Sequence, residues 1–94
     1  MKIHELKILE QFADEIVAGN KMFEIRVNDR CYQKGDYIRF TAIDGDISHR
    51  EVDHEINGRM YKITYVLSGW GLKDGFAALG IKEIEGVEKD DNGR

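Results

Sequence analysis

The sequence predicts a small α+β domain that is mainly β. The expected form is a closed or nearly closed barrel of five to six strands, with one principal helix near the N-terminus. Three observations lead there. A single segment, residues 9–18, repeats its apolar residues at the three- and four-residue spacing of a helix face, whereas later segments alternate at period two. Short glycine- or aspartate-bearing turns separate the alternating segments. The repeated strand–helix alternation of a parallel sheet is absent, and closing a small sheet on itself hides its edges.

Ile3, Leu6 and Ile8 make residues 2–8 a short opening strand. Leu9, Phe12, Ala13 and Ile16 then form one face of the helix, with Glu10, Asp14 and Glu15 outside. Gly19 is placed to end that helix in a left-handed conformation, which delivers Lys21 to the next strand. Over 21–28, Glu24, Arg26 and Asn28 alternate with Phe23, Ile25 and Val27. Burial of the apolar set would lock the register and hold the polar set in place. After turns at 28–30 and 34–36, a strand is expected over 37–43, with Ile38, Phe40 and Ala42 on one face. Residues 47–57 read as a polar insertion with a weak edge strand, and Asn57-Gly58 as a two-residue hairpin turn. Residues 59–67 place Tyr61, Ile63, Tyr65 and Leu67 on one face, taken as the core face. A glycine-rich loop, 68–75, carries the one tryptophan, Trp70, and Phe76 to Glu83 is the last strand. Residues 1–85 thus read as one domain and 86–94 as a polar, frayed tail.

Composition narrows the function classes. A chain of 94 residues that is 41% hydrophobic sustains one modest core, and 34% charged residues imply an ionic surface. No apolar run approaches membrane-spanning length, and the N-terminal residues lack a signal-peptide core, so no membrane partner is expected. Cys31 is the lone cysteine, which excludes an internal disulfide and suits a reducing cytoplasm. Of the net charge of −4, residues 83–94 hold −3 and the rest −1. A near-neutral body of this kind suits a small ligand or a structured partner better than non-specific coating of nucleic acid.

The candidate site is the array after the helix. Lys21 and Arg26 can meet phosphate or a base carbonyl, and Glu24 can accept from an exocyclic amine. The same three residues also fit a surface ion-pair ladder. Asn28 and Arg30 extend the array, although Asn28 and Asp29 equally suit bonding the backbone of their turn. Trp70, between glycines, offers a stacking surface for a base or a lid over the core, and Lys73 a phosphate contact or ordinary solvation. His4 could serve as a ligand or general base, but reads better as packing beside the motif strand with its ring nitrogens satisfied locally. His49 and His54 lack the further ligands of a metal site, so neither metal nor cofactor is expected. No serine or cysteine stands in a recognisable nucleophilic setting.

Gly19, Lys21, Glu24 and Arg26 match all four named positions of Gly-x-Lys-x-x-Glu-x-Arg. That motif, in the order strand, helix, glycine and motif strand, resembles ASCH domains of the PUA-like superfamily. His4-Glu5-Leu6-Lys7 and Gly69 to Phe76 are similar to a small bacterial and phage branch of that group. The resemblance implies a PUA-like pseudobarrel with a cleft between helix and barrel, lined by Lys21, Glu24 and Arg26, that binds RNA or a modified nucleotide. Some small relatives are amidohydrolases acting on acetylated cytidine through a lysine, a threonine and a glutamate. Lys21 matches that lysine, Glu24 stands at the threonine's place, and Asp74 is the nearest acidic candidate. Nucleotide binding without catalysis is therefore the first reading, with such a hydrolase or a protein-interaction module as alternatives.

Overall fold

The computed structural model describes residues 1–46 and 48–84. It contains β1 (Ile3–Leu9), α1 (Glu10–Val17), β2 (Phe23–Val27), β3 (Tyr37–Ile43), β4 (Met60–Ser68) and β5 (Phe76–Glu83). The strands form one mixed sheet in the order β1-β3-β4-β5-β2. β1 runs parallel to β3, and every other pair is antiparallel. The sheet is not closed: β1 and β2 are its two edges. The expected α+β class with one helix and five strands is present, but backbone pairing does not complete a barrel. No helix among the described residues is long and apolar enough to cross a membrane. The tail expected over 86–94 lies outside the described residues.

Alternation builds the core from one face of the sheet. Leu6 and Ile8, then Ile38, Phe40 and Ala42, then Tyr61 and Ile63, then Ala77, Leu79 and Ile81 are buried, with Ala13 and Ile16 of α1 packed over them. The helix ends as its glycine requires. Gly19 has φ +85°, its N–H donates to Ile16 O at 3.0 Å, and Asn20 N–H donates to Glu15 O at 2.9 Å. This paired cap satisfies the last carbonyls and turns the chain sharply towards Lys21.

Four expectations need correction. In β2 the faces are reversed. Phe23, Ile25 and Val27 are 46%, 48% and 52% exposed, while Glu24 is only 7% exposed. Pairing with β5 explains this, because Glu24 sits opposite Leu79 and Arg26 opposite Ala77, both inward residues. In β4 a bulge between Ile63 and Tyr65 inserts Thr64 and switches the alternation. Tyr65 therefore stands 61% exposed rather than in the core beside Tyr61. Among the described residues of the insertion, 48–57, there is no edge strand beyond a single bridge between Ile43 and Glu51. Asn57-Gly58 does form a tight turn, Arg59 N–H donating to Ile56 O at 3.0 Å, but no paired strand precedes it; the Asn57 side chain instead accepts from Ala42 N–H and donates to Val52 O, tying the insertion to β3. Ile56 is pulled fully into the core by that arrangement.

Candidate functional site

Because the sheet stays open, its edges face each other across a gap beside α1, and side chains rather than backbone span that gap. Arg26 of β2 donates to the backbone carbonyl of Lys7 on β1. Arg30, just past β2, donates to Glu5 O at 3.3 Å. Between the edges lies a cavity of about 380 Å³, whose lining includes Ile8, Phe12, Glu24, Arg26, Arg30 and Tyr32. A second, more apolar hollow of about 540 Å³ adjoins it, lined in part by Phe12, Lys21, Phe23 and Glu24.

Glu24 lines both, together with Phe12 and Ile25. Its Oε1 accepts from Lys21 Nζ at 2.6 Å and its Oε2 from Arg26 Nε at 2.9 Å. Lys21 also donates to Phe23 O at 2.8 Å and lies 5.0 and 5.6 Å from the Phe23 and Phe12 ring centroids. A carboxylate this buried is tolerable only with both charges beside it, so the three side chains fix one another. The trio carries net +1, and Lys7, Arg30 and Asp29 around the first cavity add another positive charge. An anionic group is electrostatically welcome there.

Behind the cavity stands a buried polar pair. His4 Nε2 donates to Asp36 Oδ2 at 2.9 Å, and Asp36 also accepts from Gln33 N–H at 3.2 Å and Lys2 N–H at 3.3 Å. Burial by itself would raise the Asp36 pKa, but the hydrogen bonds from His4, Lys2 and Gln33 outweigh it and hold the carboxyl below its ordinary value. The His4 ring packs on Tyr32 with centroids 4.7 Å apart. Tyr32 itself lines the cavity, and burial pushes its phenol above the usual range against the opposing pull of Arg26 and Arg30. His4–Asp36 thus anchors the ring that forms the cavity floor. In the sequence, Asp36 reads only as a turn residue and Tyr32 carries no signal; neither alternation nor spacing marks them.

The structure brings together Lys21, Glu24, Arg26 and Arg30 from the sequence-derived set. Asn28 closes the end of β2, its backbone N–H donating to Gly75 O at 2.8 Å. Trp70 is 89% exposed in the β4–β5 loop, with φ +53°, and is not among the cavity's lining residues. Lys73 lies 5.9 Å from the ring centroid of Phe76, which does line the cavity. Asp74 lies in the same loop, outside the lining. His54 pairs with Asp14 at 2.7 Å and accepts from Ile56 N–H, tying the insertion to the helix. Among the described residues no group of three or more His, Cys, Asp or Glu is placed to hold a metal ion.

A family model described as a domain of unknown function (DUF3850) matches residues 3–81. No curated protein matches the chain. Among solved structures, the crystal structure of hypothetical protein PH0355 is similar, with 21% sequence identity and a TM-score of 0.56. The similarity covers 89% of this chain and 100% of that one. At this identity the likeness concerns the fold alone.

Proposed function

The chain belongs to the DUF3850 family of domains of unknown function, and from that premise we propose that it binds a nucleotide or a short RNA segment in the gap between β1 and β2. The observation that carries the reading is the buried Glu24, clamped by Lys21 and Arg26 on the wall shared by the two hollows. Arg26 and Arg30 present the remaining guanidinium N–H groups to a phosphate. Tyr32, Ile8 and Phe12 supply an apolar flank for a base, and a volume of about 380 Å³ lies in the range of small-ligand sites. The Gly-x-Lys-x-x-Glu-x-Arg resemblance to ASCH domains supports the same ligand class, and the open sheet would then be the counterpart of a PUA-like pseudobarrel. The cleft binds and does not catalyse in this reading: Lys21 is committed to Glu24 and to Phe23 O.

The test is a thermal-shift series with nucleoside monophosphates, modified nucleosides and short RNAs, since a ligand selective for the folded form raises the melting temperature. At least one should raise it in the wild type and fail to do so in Lys21→Ala and Arg30→Ala. Shifts preserved in both variants, or none with any nucleotide, would overturn the proposal.

A further inference from the structure

The reversal of β2 leaves a second apolar surface on the face of the sheet turned from the core, its β2 margin of Phe23 and Ile25 bordering the hollow beside α1. Cross-strand pairing arranges it in rows. Lys62 of β4 lies directly opposite Lys82 of β5; the next row is Tyr65, Gly80 and Phe23; the next is Leu67, Ala78 and Ile25. The small residues of β5 make a floor between an apolar ridge on β4 and another on β2. Two inter-strand spacings put those ridges about 9.5 Å apart, enough for a planar ring to enter between them. Gly80 keeps the floor low, and a Cβ there would come within 2.7 Å of Thr64 Oγ1.

The lysine end has its own peculiarity. Lys34, Lys62 and Lys82 line one shallow hollow of about 530 Å³ with Thr64. None of the three takes part in an ion pair among the described residues. Like charges directly opposite each other weaken a sheet, and an anion bound there would relieve the repulsion.

We propose that this outer face is a second binding surface, distinct from the cleft, for single-stranded nucleic acid. Phosphates sit on Lys34, Lys62 and Lys82, and an unpaired base stacks on the exposed Tyr65 ring, a contact available to any base. A duplex hides its bases and offers the ridges nothing to stack. The inference does not rest on the cleft reading.

The experiment is fluorescence anisotropy of labelled octa-uridine with the full chain over a salt series. Three phosphate contacts give a slope of about −2 in log K against log salt. Lys62→Ala/Lys82→Ala should reduce that slope to about −0.7 and weaken binding at least about tenfold. Tyr65→Ala should weaken binding about tenfold with the slope unchanged, and Tyr65→Phe should restore it. Loss of binding in Lys21→Ala/Arg30→Ala with none in Lys62→Ala/Lys82→Ala would overturn the inference, assigning all binding to the cleft and leaving that reading intact. Equal affinity for duplex, or a Tyr65→Ala variant altered only in oligomeric state by sedimentation, would also overturn it. Octa-uridine binding through Lys62 and Tyr65 without any mononucleotide shift would sustain the outer face and remove the cleft.

Discussion

Arg26, on one edge strand of the sheet, hydrogen-bonds the backbone carbonyl of Lys7, on the other. The sheet is thus joined across its open side by a side chain, one that also holds the buried Glu24. Arg26→Ala removes the join and half of the Glu24 clamp together. The expected cost is about 2 kcal/mol in urea denaturation. Arg26→Lys should recover little of it, since an ammonium cannot span both acceptors with the guanidinium's fixed fork.

Glu24→Leu should be less harmful than its burial suggests if packing alone matters, yet it strands two cations at the cavity wall. The expected loss is about 2 kcal/mol, with Glu24→Gln losing about half of that because it keeps an acceptor. Equilibrium unfolding of the two variants separates shape from charge.

Asp36 gives the fold an acid-sensitive anchor. Its carboxyl is held below the ordinary value in the folded chain. The stabilisation is therefore fully present above the unfolded-state pKa, about 4, and is lost as pH falls through the lower folded value. Unfolding free energy measured from pH 6 downward should drop below about pH 4, and Asp36→Asn should be less stable at neutral pH with a flatter acid limb.

Gly19 has φ +85° with open space around its missing Cβ. Substitution there meets backbone strain and no clash. Gly19→Ala should cost about 1 kcal/mol, seen as a lower denaturation midpoint with an unchanged slope. Since Gly19 directs the chain towards Lys21, the same variant should also weaken any ligand of the cleft.

Ile56 is fully buried although it lies in the insertion between β3 and β4. Ile56→Ala should cost about 3 kcal/mol, as much as a strand residue in the core. A loss below about 1 kcal/mol in denaturation would mean that the insertion is not part of the core.

The helix, its glycine cap and the strands over 37–43 and 76–83 were legible because apolar period and turn residues coincide there, and burial enforces both. β2 was misread for a physical reason. Alternation states that a strand has two unlike faces, but not which faces inward. Pairing with β5 decides that, and it turns the charged face inward because a cavity lies there and the buried Glu24 carboxylate is held between Lys21 and Arg26. The same limit applies to β4, where one extra residue, Thr64, switches the faces midway and no composition signal announces it. The parallel β1–β3 pair was invisible because its partners are separated by the helix and β2. Lys21, Glu24, Arg26 and Arg30 stood out as charged residues crowded after a helix end. Tyr32 and Asp36 did not, and His4 stood out without its partners, since the association of the three is purely three-dimensional.

The most direct measurement is an amide chemical-shift titration of the isotope-labelled chain with the nucleotide that gives the largest thermal shift. Saturating perturbations should centre on residues 5–9 and 24–32, on both sides of the gap spanned by Arg26, and should vanish in Arg30→Ala. Perturbations confined to other residues, or unaltered in that variant, would contradict a ligand site between the two edge strands.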